Sequence, residues 1–232
     1  MKRRIIILTT AMALLTTITN AQTTTARSGG TTFGIRGGVN FQNINGKDQD
    51  GNKLSNDLVT RFNLGVNVEI PVGTDFYFQP GVLFTTKGAK NEQVILGQDV
   101  ISTVNLSYLE LPLNLVYKPA LSAGRLLLGF GPYVALGVGG KVKYEEGGSS
   151  QEQDVKFKNE VKVSDDTDVA YFKPLDAGAN LLVGYEFHNK LSFQLNTQLG
   201  LVKINPEYEG AVDDKSSFKN TGFGLSFGYR FN

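Results

Sequence analysis

The stretch YLELPLNLVYKP, residues 108–119, puts an apolar side chain at every second position: Leu109, Leu111, Leu113, Leu115 and Tyr117. Between them stand Tyr108, Glu110, Pro112, Asn114 and Val116. A period of two marks a β-strand, because successive side chains project to opposite faces. Seven further segments repeat the alternation: 31–41, 61–70, 75–84, 125–140, 176–187, 191–200 and 222–232. Most are about ten residues long, which is what a tilted strand needs to cross a bilayer. No helical period competes with them.

The connections alternate as regularly as the strands. Long polar loops are expected at about 42–60, 86–102, 141–175 and 202–221, and short turns at PVGT, KPALSAG and HNK. A soluble sandwich has no reason to collect every long loop at one end. An outer-membrane barrel does, with short turns on the periplasmic side and longer loops outside. The two faces of the strands agree with this. One carries leucine and phenylalanine; the other carries Gly34, Gly38, Gly65, Gly129, Gly131, Gly178, Gly184, Gly224 and Gly228 among small polar residues. The bore of an eight-stranded barrel is just wide enough for side chains, so the glycine face points inward and the oily face meets lipid. The expected fold is all-β: a closed, antiparallel, up-and-down transmembrane β-barrel of eight strands. Ten is the alternative count, because KVKYEE and DVKFKNEVKV continue the alternation within 141–175 as a hairpin above the membrane.

The first residues follow a different logic. Lys2, Arg3 and Arg4, a mostly apolar run from Ile5 to Ile18, and Thr19-Asn20-Ala21 form the pattern of a cleaved export signal. The expected organisation is a signal peptide at 1–21, a flexible leader at 22–30 and one barrel domain at 31–232. With the three early cations removed, 20 Lys and Arg stand against 22 Asp and Glu. That balance gives no footprint for nucleic acid. The absence of cysteine excludes a disulfide framework, a thiol nucleophile and a lipid-modified cysteine. Mean hydropathy of −0.14 fits a barrel as well as a soluble chain, since only alternate residues touch lipid.

YLELPLNLVYKP, GFGPY at 129–133, the hairpin GANLLVGYEFHNKLSFQLNTQLGL and the aromatic end GYRF together resemble the PorT-like, porin-family outer-membrane β-barrel proteins. The resemblance spans nearly the whole chain after the signal and implies location and architecture more than activity. It also implies a third function to weigh, an accessory role in protein secretion across the outer membrane. Tyr229 and Phe231 look like the carboxyl-terminal signal read by the barrel-insertion machinery, with Asn232 as a departure after the last aromatic. As girdle aromatics they would occupy the same positions.

Six inward charges, Arg36, Glu69, Glu110, Asp176, Glu186 and Arg230, are expected to form a network that plugs the bore, because buried charges require partners. Glu110 and its acidic neighbours would meet Arg36 and Arg230. His188, the one histidine, falls in a short turn with no visible triad partner. KDQDGNK at 47–53 fails as a calcium loop: glycine stands at its fourth position and Val59 where the closing glutamate belongs. Asp165, Asp166 and Asp168 read as a solvated acidic loop. No catalytic residue, metal ligand or cofactor site is expected. The leading function is a non-enzymatic, structural or surface-interaction role through the long loops, with a narrow solute pore as the alternative. Expected partners are outer-membrane lipid and lipopolysaccharide, the insertion machinery, and a protein at the outer loops.

Overall fold

The computed structural model describes residues 30–231 apart from 96 and 212. The expected signal peptide and nearly all of the leader lie outside these residues. Thirteen strands follow one another: β1 (Thr32–Lys47), β2 (Val59–Gly73), β3 (Phe76–Ile95), β4 (Gln98–Tyr117), β5 (Ala120–Leu121), β6 (Gly124–Glu146), β7 (Ser149–Phe157), β8 (Glu160–Val161), β9 (Ala170–Phe172), β10 (Leu175–Phe187), β11 (Leu191–Gly200), β12 (Glu207–Tyr208) and β13 (Ser217–Arg230). Eight of them close a ring in the order β1-β2-β3-β4-β6-β10-β11-β13, with β13 back on β1 and every neighbour antiparallel. The ring is the eight-stranded barrel that the alternation predicts.

The oily face points outward. Leu64, Phe130, Leu181 and Phe227 are each at least 60% exposed, while Gly131, Tyr133, Asn180 and Ser226 on the opposite face are buried. The inner face tolerates little more than glycine at several positions. A Cβ added at Gly131 would strike the Leu113 carbonyl, and one at Gly178 would strike the Leu199 carbonyl. The neighbouring strand therefore sits against the backbone itself, as a narrow bore requires.

Three tight connections share one end with both barrel termini. Each contains one non-glycine residue at positive φ: Asp75 at 59°, Ser122 at 50° and Lys190 at 67°. This left-handed geometry closes a turn in very few residues. The other end differs from expectation. The strands there run 14 to 23 residues in β1, β2, β3, β4, β6 and β13, well past the ten or so that the alternation marks. The long loop expected at 86–102 is instead a continuous hairpin, pairing Lys87 with Leu106 through to Ile95 with Gln98. Backbone pairing continues there while side-chain alternation fades, because both faces of the sheet leave lipid.

The hairpin expected within 141–175 is present: Lys141–Glu146 of β6 pairs with Ser149–Asp154 of β7. β7 then pairs in parallel with β9, and β8 with β12. Lys173 N–H donates to the Ile204 carbonyl at 2.7 Å, tying two long connections together. β6 carries one extra residue at Val138, a bulge where Ser107 pairs with Gly139 and Tyr108 with Gly137. Before it the inward residues of β6 are Leu127, Gly129, Gly131, Tyr133 and Ala135; after it Val142 is the inward, buried one. An extra residue exchanges the faces of a strand. Above the bulge an apolar cluster fills the inside, made by Ile44, Ala89, Leu106, Val142, Phe172 and Ile204, with Leu54 and Phe157 against it.

Candidate functional site: the filled bore

The interior is layered. At the short-turn end Lys118 Nζ lies 2.9 Å from Glu69 and 2.7 Å from Glu186, and Arg230 pairs with Glu186 at 2.7 Å. Gln79 donates a hydrogen bond to Glu69 at 2.9 Å, and Lys118 sits over the Tyr77 ring. Next comes a small apolar layer of Val116, Leu127 and Leu182. Amides occupy the middle: Asn63 donates to Asn40 at 2.6 Å, and Gln198 donates to Asn180 at 3.1 Å and to Glu110 at 2.7 Å. Above them Lys87 Nζ bridges Glu110 at 2.9 Å and Asp176 at 3.0 Å. Tyr133 Oη and Asn220 Nδ2 donate to Asp176, and Lys87 lies 4.2 Å from the Tyr133 ring centre. The apolar cluster above β6's bulge caps this layer.

Five of the six charges expected inside do join ion pairs there: Glu69, Glu110, Asp176, Glu186 and Arg230. They form two separate layers instead of the single network expected. Arg36 is a correction. It lies in the bore but has no carboxylate within 4.0 Å among the described residues, so it does not meet Glu110 as expected. The bridging cations are Lys87 and Lys118, both absent from the sequence reading. Lys87 fell in the supposed loop at 86–102 and Lys118 in the supposed turn KPALSAG. The signal was parity. The inward row Gln79, Gly81, Leu83, Thr85 reaches Lys87 at the next step, and Glu110, Pro112, Asn114, Val116 reaches Lys118.

Outside the barrel wall the remaining marked residues have ordinary partners. His188 is exposed in its turn. Asp48 accepts the Asn52 N–H at 2.8 Å and the Asn52 side chain at 3.2 Å, closing its own turn around Gly51 at φ 89°. Asp165 pairs with Lys158, and Asp166 with Lys156 at 2.8 Å. Asp165 also accepts the Lys162 N–H, and Asp166 the Asp168 N–H. Hydrogen bonds from Lys158 and Lys156 hold these two carboxyls below the usual aspartate value. A lowered folded pKa contributes stability above the unfolded value, and that contribution is lost as pH falls through the folded one. Segment 158–168 is therefore expected to be protected from proteolysis at pH 6 and to open as pH drops from about 4 downward. Limited digestion at pH 6 and pH 3 with an acid-tolerant protease checks this; equal cleavage at both would sink it.

Residues 20–205 match the outer membrane protein beta-barrel domain family. The chain belongs to that family. An outer membrane protein beta-barrel domain resides in the bacterial outer membrane, which places the short-turn end in the periplasm and the β3–β4 and β6–β7 hairpins outside. The structure is similar to Neisserial surface protein A at 11% identity and a TM-score of 0.43, over 88% of this chain and 100% of that one. It is also similar to Ail of Yersinia pestis, solved with the heparin analogue sucrose octasulfate, at 16% identity and a TM-score of 0.38 over 88% and 100% of the two chains. For OprG of Pseudomonas aeruginosa the values are 15%, 0.36, 88% and 97%. No curated protein matches the sequence.

Proposed function

We propose that this barrel does not conduct and that it serves as a rigid stalk for a surface-interaction platform. The observation that carries the reading is the contrast between the two halves of the molecule. The bore is filled by two ion-pair layers, an apolar layer and an apolar cap, while β3, β4, β6 and β7 continue past it as a four-stranded sheet. Ser149–Asp154 of β7 pairs with β6 on one side and with no described strand on the other. An open strand edge offers backbone donors and acceptors to an added strand, and Glu152 and Asp154 on it discourage indiscriminate pairing. The partner is a protein segment able to lie extended along β7.

The reading is non-enzymatic. The buried Ser226 has an amide neighbour in place of a base: Asn196 donates to its Oγ at 3.0 Å. Lipid and lipopolysaccharide surround the apolar wall. Tyr229 and Phe231, with ring centres 5.1 Å apart on the outer face of the periplasmic rim, are available to the insertion machinery as the barrel closes. The PorT-like resemblance adds the secretion-accessory role to be tested by deletion, with an unchanged secreted proteome counting against it.

Single-channel recording on the purified protein in planar bilayers is expected to give no discrete conductance steps. Reproducible steps of constant size would establish the pore instead. Cells producing the full chain are expected to adhere or aggregate more than cells producing a form shortened by residues 144–151. Equal behaviour would remove the β6–β7 edge from the proposal.

A further inference from the structure

β9 holds the rim of β7 from Val155 to Phe157, so the free edge is Ser149–Asp154. All of it but Gln153 is exposed. Across β6, Tyr144 stands opposite Gln151, Lys143 opposite Glu152 and Glu145 opposite Ser150. Glu152 is already bonded to Lys141 at 2.7 Å. The edge reads Ser-Ser-Gln-Glu-Gln-Asp. It offers backbone donors and acceptors bordered by polar side chains, and no apolar ridge on it selects an apolar partner.

A segment of this composition can pair with its own copy. Two identical antiparallel strands in one sheet are related by a two-fold axis normal to the sheet, so residues of the same face stand opposite each other. With the axis at Glu152, like charges would meet directly, which destabilises a pair. Ser149 of the copy would also fall opposite Val155, where β9 already sits. With the axis at Gln151 both conflicts vanish. Gln151 then faces Gln151, Ser150 faces Glu152, Ser149 faces Gln153 and Gly148 faces Asp154. One face reads Tyr144, Gln151, Gln151, Tyr144 across the four strands of the two copies. Moving the axis on to Ser150 leaves only Ser149–Gln151 in register.

The membrane decides where that copy stands. β6 runs unbroken from Gly124 to Glu146, so the β6–β7 hairpin continues the barrel wall away from the outer surface. Copies in one membrane are related by rotation about its normal, which leaves both β7 strands descending and precludes an antiparallel pair. Copies on two facing membranes point at each other, and their β7 strands run antiparallel. Granting the open-edge reading of β7, we propose that its partner is a second copy of this chain on a facing cell, joined through Ser149–Asp154 with Gln151 on the two-fold axis. A single edge is short, but many copies on each surface engage together, and the combined contact is far stronger than one pair.

The test reconstitutes the full chain into phosphatidylcholine vesicles of two colours. Two protein-bearing populations are expected to cluster with each other, and a protein-bearing population is expected to leave bare vesicles free. Gln151→Lys on both sides, or Gln151→Glu on both sides, sets like charges opposite at the axis and should lower the clustered fraction roughly tenfold. Mixing Gln151→Lys vesicles with Gln151→Glu vesicles should restore clustering, because opposite charges then meet. The band shift on boiling checks that each variant is folded, and Gln151 is exposed. No clustering by the unaltered chain, equal capture of bare vesicles, undiminished clustering by Gln151→Lys, or no recovery in the mixed pair would each overturn self-pairing. If the vesicles stay apart while cells still lose adhesion on removal of residues 144–151, the open edge stands with a different protein as its partner. If neither effect is seen, the edge reading falls as well. Should a variant fail to fold, the two-colour result for the unaltered chain decides between a second copy and none.

Discussion

Lys87→Met is expected to destabilise the barrel by about 3–5 kcal/mol, the cost of removing one partner from a buried ion pair. Lys87 is fully buried and is the cation within ion-pair distance of both Glu110 and Asp176. Without it two carboxylates share one dry layer beneath the Ile44, Leu106 and Ile204 cap. The triple variant Lys87→Met, Glu110→Gln, Asp176→Asn should recover most of the loss, because the attraction and the stranded charges disappear together. Urea unfolding followed by the band shift between boiled and unboiled samples measures all three forms. An unchanged midpoint for the single variant would mean that the layer contributes shape and not charge balance. Lys118→Met should produce a loss of similar size in the periplasmic layer. With no partner in common, the two losses should add.

These two lysines also mark where sequence reasoning stopped. The wall of the barrel was readable because lipid imposes a single rule: every second side chain must be apolar over about ten residues. Leu109 through Tyr117 obey it, and the ring order and facing follow. Above the lipid the rule ends but the strands do not. Residues 86–102 look like a loop because Lys87, Lys90, Asn91, Glu92 and Asp99 break the alternation, yet hydrogen-bond pairing runs unbroken to Ile95 and Gln98. Lys118 lies one residue past the last apolar position of β4 and so resembled a turn residue.

The apolar cap was illegible for another reason. It joins residues far apart in the chain, Ile44, Leu106, Phe172 and Ile204, and Val142 enters it because the bulge at Val138 exchanges the faces of β6. Glycines 137, 139 and 140 flank that point, and a bulge next to glycine is the one local hint available. Arg36 shows the opposite failure. Its inward position followed from parity, but its expected partner did not, since pairing depends on height within the tilted barrel and on competition from Lys87 for Glu110.

Leu181→Arg is the sharpest test of which way the wall faces. Leu181 is 61% exposed at the middle of β10, opposite Phe130 on one side and Thr197 on the other. An arginine at the bilayer midplane costs about 2–4 kcal/mol. Val163 supplies the comparison: it is apolar and 85% exposed, but lies in the outer connection between β8 and β9. Val163→Arg should change stability by no more than about 0.5 kcal/mol. Both side chains are largely exposed and differ in what surrounds them, so a large loss confined to Leu181→Arg reports the surrounding solvent and not the packing. Refolding into lipid vesicles, with urea midpoints for both variants, gives the comparison directly. Equal small effects would mean that β10 turns Leu181 toward water, and the placement of the oily face against lipid would fail with it.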